Sequence, residues 1–84
     1  MKVNKKLRAV VMEAVEGLLA ANDKVKPVAK EALAHGFSEA EVKTALGRAF
    51  LFCYWYAATE GAYGGDPNQD VADRFKVELK TLKE

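Results

Sequence analysis

Apolar residues recur at helical spacing in the first quarter of the chain. They are Leu7, Val10, Val11, Ala14, Leu18 and Leu19. Positions three and four residues apart share one face of an α-helix, so this pattern predicts an amphipathic helix over about residues 4–21. Gly17 interrupts that helix. Because glycine weakens a helix by about 1 kcal/mol relative to alanine, Gly17 predicts a point of close packing.

Turn-forming residues mark both ends of a second helix. Asn22 and Asp23 suit a turn or an N-cap. Pro27 has no N–H and a fixed φ, so it fits best in the first turn of a helix. We predict this helix over about residues 26–35, with Gly36 as the left-handed residue that follows its end.

A capping box starts the third helix. Ser38 stands at the N-cap and Glu41 three residues later, which is the spacing at which the two residues cap each other. The apolar pattern continues from there, and two glycines at 64 and 65 stop it. The third helix is therefore predicted over about residues 39–62.

The last part of the chain predicts a fourth helix over about residues 67–83. Asp66 suits its N-cap and Pro67 its first position. Asp70 and Arg74, four residues apart, are placed to form an ion pair. The apolar stripe of this helix is Val71, Phe75, Leu79 and Leu82. With no alternating segment that would indicate a strand, the sequence predicts an all-α protein of four helices.

Composition and charge narrow the class of protein. The chain has 84 residues, half of them apolar, which fits one globular domain over residues 1–84. Thirteen basic and twelve acidic residues give a net charge of +1. Proteins that bind nucleic acid through phosphates usually carry a clear basic excess, so the balance argues against nucleic acid and against an anionic membrane surface as partners.

The expected compartment is the cytoplasm. The chain begins without the apolar segment of a signal peptide, and its longest uncharged stretch has eleven residues, 49–59, where a membrane span needs about 20. Cys53 is the one cysteine, so no internal disulfide and no cysteine metal site can form. We expect no metal and no cofactor.

Seven consecutive apolar or aromatic residues, 50–56, dominate the third helix. Consecutive residues point in every direction around a helix, so this segment needs cover on all sides. Each aromatic side chain buries about 150–250 Å², and leaving half of that exposed would create an unusually large apolar patch. We therefore expect a homo-oligomer. The predicted interface residues are Phe50, Phe52, Tyr54, Trp55 and Tyr56.

Two alternatives for this segment stay open. The polar tips of its tyrosines and tryptophan can shield it within a monomer. It can also line a pocket for a small hydrophobic or aromatic ligand, with Tyr54, Trp55, Tyr56 and Glu60 as the binding residues.

The residues with reactive side chains favour structural roles, and we predict no catalytic residue. Cys53 lies within the apolar run, where burial raises the pKa of a thiol and makes it a poor nucleophile. His35 falls at the predicted end of the second helix, where it can bond a terminal carbonyl. The segment 32–42 also fits a helix-turn-helix spacing, a weaker hypothesis of DNA binding, but Glu39 and Glu41 would face the phosphates.

The segment Val28–Val42, with the helix over 7–15 and the pair Ala45-Leu46, resembles the carboxymuconolactone decarboxylase / alkylhydroperoxidase D-like family over about residues 5–62. The shared pattern is a helix ending in Ala-Leu-x-x-Gly, a Ser-x-x-Glu start and a long apolar helix. The resemblance implies an all-helical fold that assembles into dimers, trimers or hexamers.

The same resemblance does not extend to the family's peroxidase chemistry. The CxxC pair of the peroxidase branch falls on Ala21 and Lys24, its histidine on Val28 and its acid on Ala9. A dithiol peroxidase needs two thiols, and these positions carry none. No catalytic residue of the decarboxylase branch can be matched either. The sequence thus predicts an oligomeric binding or assembly module, with a ligand-binding protein or enzyme for a small hydrophobic molecule as the alternative.

Overall fold

A computed structural model of the chain describes residues 5–60 and 67–83; at 54–60 and 67–68 it describes the backbone alone. The helices in this part of the chain are α1 (Lys5–Ala21), α2 (Val25–Ala34), α3 (Glu39–Glu60) and α4 (Pro67–Lys83). No strand occurs among the described residues, so the all-α prediction is confirmed. The predicted bounds of α2 differ from these by one residue at each end, and the predicted end of α1 agrees. Residue 4, which we assigned to the first helix, and residues 61 and 62, which we assigned to the third, lie outside the described ranges.

Asn22 joins α1 to α2. Its N–H donates to the carbonyl oxygen of Leu18 at 2.9 Å, which closes the last turn of α1. Its side-chain Oδ1 accepts hydrogen bonds from the N–H groups of Lys24 and Val25, at 2.9 and 3.0 Å. These bonds satisfy two of the donors that a helix start leaves unpaired, so one residue caps two helices. Pro27 lies in the first turn of α2, as predicted.

The predicted turn between α2 and α3 is present in full. Gly36 has φ +95°, and the N–H of Phe37 donates to the carbonyl of Ala32 at 3.1 Å. With the bond from the Gly36 N–H to Leu33, these are the two hydrogen bonds of a Schellman motif. The Ser38 hydroxyl then accepts from the Glu41 N–H at 3.1 Å, while Glu41 Oε1 accepts from the Ser38 N–H at 2.9 Å. The capping box is thus reciprocal.

Helix α3 is central, since it packs against the other three helices and most extensively against α4. Its predicted inward residues Val42, Ala45, Leu46 and Ala49 are all buried. They meet Phe75, which has no exposed surface, and its α4 neighbours Val71 and Leu79. From α1 the core receives Val11 and Val15. Val10, which we placed on the inner stripe of α1, is instead 56% exposed.

The close approach between helices is made at Gly47 and not, as predicted, at Gly17. A Cβ atom built on Gly47 would lie 3.2 Å from Val11 Cγ1, so only glycine lets α1 and α3 approach this closely without a shift. A Cβ atom built on Gly17 would meet nothing within 4 Å. Among the residues that the structure describes, Gly17 therefore faces open space.

None of the described helices is both long enough and apolar enough to cross a bilayer.

Candidate functional site

The apolar run of α3 is only half covered in its described part. Phe50, Leu51, Phe52 and Cys53 are each intermediate between buried and exposed. The backbone of α3 continues as helix through Tyr54, Trp55, Tyr56 and Glu60, but the side chains of these four residues lie outside the described part of the structure. The ligand site predicted at these four residues is therefore not tested by the structure. The same holds for the part of the predicted interface that Tyr54, Trp55 and Tyr56 would form.

Phe52 is covered on one face by an arginine from α4. The guanidinium carbon of Arg74 lies 3.9 Å from the centroid of the Phe52 ring, a cation–π arrangement. Arg74 Nη2 also lies 3.7 Å from Glu78 Oε1. The ion pair of Arg74 among the described residues is thus with Glu78, and not with Asp70 as predicted. Asp70 Oδ2 and Arg74 Nε are buried and have no hydrogen-bond partner in the described part of the chain.

Cys53 has the environment of a structural thiol. Burial raises its pKa, the carboxylate of Asp70 raises it further, and the guanidinium of Arg74 opposes both effects. A raised pKa lowers the fraction of thiolate, which is the nucleophilic form. The geometry therefore agrees with the structural role predicted for this residue.

His35 caps the end of α2. Its Nδ1 lies 2.9 Å from the carbonyl oxygen of Glu31, and because a carbonyl can only accept, Nδ1 carries the hydrogen. The backbone N–H of His35 donates to the same carbonyl at 3.0 Å. The imidazole thus hydrogen-bonds a carbonyl group in the last turns of α2, as the sequence predicted.

An apolar groove of about 700 Å³ lies between the end of α1, α2 and the start of α3. Its apolar lining is Leu19, Pro27, Ala29, Leu33 and Val42. Its charged lining is Lys26, Lys30, Lys43 and Glu39. We call this surface the lysine groove. Leu33 is 45% exposed, which makes it one of the large apolar side chains that the protein leaves open to water.

A second cleft, of about 620 Å³, lies along the end of α1 and the turn to α2. Its small lining residues are Ala14, Gly17 and Ala21 of α1. The rest of its lining is Leu18, Asn22, Asp23, Lys24 and, from α3, Phe50. We call this the glycine cleft. It adjoins the apolar run of α3 because Phe50 is the first residue of that run.

Sequence reasoning did not find the lysine groove. Its residues come from three helices, and only folding places them side by side. One signal was available: Leu33 is apolar but falls away from the buried face of α2, where Val25, Ala29 and Ala32 lie. An apolar residue off the buried face of a short helix can mark a second contact surface.

Comparison with protein-family models, with curated protein sequences and with solved structures gives no match to this chain. The resemblance to the alkylhydroperoxidase D-like family therefore rests on the residues quoted above. Within the described ranges, no group of three or more histidine, cysteine, aspartate or glutamate side chains is placed to hold a metal ion.

Proposed function

We propose that this chain is a homo-oligomeric helical module of the alkylhydroperoxidase D-like type, without dithiol peroxidase activity, that acts by binding and assembly. A second copy of the chain would pack into the glycine cleft and over the adjoining apolar run of α3. The observation that carries the proposal is the open space at Gly17, beside the half-buried ring of Phe50.

Gly17 has a cost in stability that its described neighbours do not explain. Glycine inside a helix is less stable than alanine by about 1 kcal/mol, and among the described residues no neighbour within 4 Å would exclude a Cβ atom. Ala14, Gly17 and Ala21 are spaced three and four residues apart, so they share one face of α1. Small side chains at these three positions let another helix approach the backbone of α1, and Leu18, which lines the same cleft, adds apolar contact area.

The apolar run of α3 extends the same surface. Four consecutive residues, 50–53, are half-buried, so each of them keeps some exposed surface in the described part of the structure. A contact that starts in the glycine cleft and continues along α3 would remove this apolar area from water. Burial of apolar area is worth about 25 cal/mol per Å² and drives most association between proteins.

The reactive side chains that the structure describes support binding over catalysis. His35 and Glu41 are both used in helix ends, and Cys53 has a raised pKa. The surface offers apolar contact area instead, with Val10, Met12, Leu33 and Val77 each at least 44% exposed.

Light scattering after size exclusion tests the proposal. At tens of micromolar, we expect the wild-type mass to be a multiple of 9.2 kDa. The Gly17→Phe variant puts a ring at the cleft, where no described residue lies within 4 Å of the Cβ position, so it should keep its helical circular dichroism and shift to 9.2 kDa. Ala9→Phe, at an exposed position on the same helix, is the matched control and should keep the wild-type mass.

Two results would count against this function. A wild-type protein that elutes as a single chain would remove the assembly altogether. An assembly that survives Gly17→Phe would place the interface elsewhere.

A second candidate is a binding site for a small aromatic acid near Tyr54, Trp55, Tyr56 and Glu60. It is favoured by Arg74 Nε, which is buried and has no hydrogen-bond partner among the described residues, and Arg74 lies over Phe52, just before this segment. Buried donors normally have acceptors, and the carboxylate of a ligand would supply one. 2-Naphthoate would then quench the fluorescence of Trp55 and raise the melting temperature by mass action. If about 1 mM 2-naphthoate produces neither effect, this candidate is ruled out, because a dissociation constant above that concentration corresponds to a weak binding free energy.

A further inference from the structure

The lysine groove carries more positive charge than the protein as a whole. Three of its lining residues are lysines and one is a glutamate, whereas the whole chain has a net charge of only +1. Within the described ranges, none of Lys26, Lys30 and Lys43 has a carboxylate within 4.0 Å. Their charges are therefore free to meet those of a partner.

The three lysines come from two of the helices that line the groove. Lys26 and Lys30 are on α2, one turn apart, while Lys43 is on α3. Pro27 and Leu33 of α2 also line the groove, and both are exposed, Leu33 at 45%. We propose that the lysine groove docks an acidic amphipathic helix of a partner protein, with the apolar stripe of that helix on Pro27 and Leu33 and its carboxylates toward the three lysines.

The size of the groove fits a short helical segment. From Lys26 to Leu33 the groove follows seven residues of α2, which is about 10 Å along the helix axis. That length matches about two turns of a docked helix, or apolar anchors at positions i, i+3 or i+4, and i+7. Grooves that bind helices in this way commonly have an apolar floor and charged edges.

The distribution of charge favours a helix over a fatty acid. A fatty acid has one carboxylate and would engage one end of the groove. Here positive charge is present on two helices and at two positions along α2, which matches a partner with several carboxylates spread along its length. Complementary charge of this kind sets orientation and increases the rate of association.

This inference goes beyond the proposed function and does not depend on it. The lysine groove and the glycine cleft share no lining residue. Failure of self-association would leave the groove intact, and failure of docking would leave the assembly intact.

The probe is a fluorescein-labelled synthetic peptide of about three helical turns, with leucines at i, i+3 and i+7 and glutamates on both flanks. Binding to the full chain is measured by fluorescence anisotropy. A scrambled peptide of the same composition tests whether charge alone is enough. The groove variants are the pair Lys26→Glu/Lys30→Glu and the single change Leu33→Ser. The matched control is Lys76→Glu/Lys80→Glu, two exposed lysines with the same spacing on α4.

We expect saturable binding that the groove pair and Leu33→Ser each weaken about tenfold or more, which corresponds to about 1.4 kcal/mol. The α4 pair should change the affinity less than about twofold, because it makes the same change in net charge away from the groove. The scrambled peptide should bind at least about tenfold more weakly. Unchanged helical circular dichroism shows that the variants are folded.

Several outcomes would overturn the docking proposal. One is that the peptide does not bind at about 0.5 mM. Another is that the scrambled peptide binds equally well, and a third is that the groove pair and the α4 pair reduce the affinity for the peptide equally. Binding of dodecanoate without binding of the peptide would assign the groove to a fatty acid. If the groove variants lower the mass of the wild-type assembly without peptide, the occupant is a second copy of the chain.

Discussion

At the residue scale, Gly36 sets the backbone conformation of the turn between α2 and α3. Its φ of +95° lies in the left-handed region, where a residue with a Cβ atom is strained, although no neighbour lies within 4 Å of the place a Cβ would take. The strain is therefore a property of the backbone alone. We expect Gly36→Ala to lower the free energy of unfolding by about 1–2 kcal/mol.

Chemical denaturation at one fixed protein concentration measures this change. Gly36→Asn serves as the control, because asparagine tolerates the left-handed region better than alanine and should cost less. If alanine and asparagine are equally tolerated, the turn is not held in the left-handed conformation.

At the residue scale, sequence reasoning succeeded where a residue acts on its near neighbours. The capping by Asn22 and His35 and the left-handed Gly36 all follow from residues a few positions away. It failed for Gly17 and Gly47. The two glycines look alike in sequence, and only the packing of α1 against α3 decides which one lies at a contact.

At the scale of the element, the N-terminus of α3 is the helix end with the most complete set of capping hydrogen bonds. Glu41 accepts a hydrogen bond from the Ser38 N–H, and this bond is the main reason that the pKa of Glu41 lies below its ordinary value of 4.5. The Ser38 side chain and the charge of Lys83 lower the pKa further, and desolvation opposes them. The ionised carboxylate is thus favoured in the folded state.

This shift predicts how stability responds to acid. A carboxyl group whose pKa is lower in the folded than in the unfolded state stabilises the folded state at pH values above the unfolded pKa. This stabilisation is lost as the pH falls through the folded pKa. We expect Glu41→Gln, which keeps the capping geometry but not the charge, to be less stable than wild type at about pH 6. The difference should shrink towards zero on acidification to about pH 3.

Urea denaturation of both proteins across this range measures the effect. Glu39→Gln, also in the first turn of α3, is the control, because it makes the same change of charge at a residue outside the capping box. A Glu41→Gln difference that stays constant with pH would show that its charge does not contribute.

Charge also links distant elements. Lys83, near the end of α4, lies 4.6 Å from the centroid of the Phe37 ring and lowers the pKa of Glu41. Sequence patterns place Phe37 and Glu41 together at one turn, but they contain nothing that brings the last turn of α4 to them. This contact belongs to the tertiary structure.

For the molecule as a whole, α4 supplies the largest fully buried side chain of the described core, Phe75. Phe75 has no exposed surface, whereas Val77, on the same helix, is 47% exposed. Removing a buried phenylalanine leaves a cavity, so Phe75→Ala should cost about 3–5 kcal/mol. Domains hold about 0.05–0.15 kcal/mol per residue, so this loss is a large part of the total stability of a chain of 84 residues.

The matched control is Val77→Ala, which should change stability by less than about 0.5 kcal/mol. Thermal and urea unfolding measure both variants. A loss of cooperative unfolding in Phe75→Ala would agree with the expected cost. Equal stability of the two variants would contradict the assignment of Phe75 to the core.

Taken alone, the sequence determined the four helices, most of their ends and the inner face of α3, because these depend on hydrogen bonds and side-chain spacing within a few residues. The tertiary structure decided that Gly47 is the contact glycine, that Arg74 lies over Phe52, and that three helices form the lysine groove. These features join residues far apart in the chain. Their geometry is set by how whole helices pack, which no local pattern encodes.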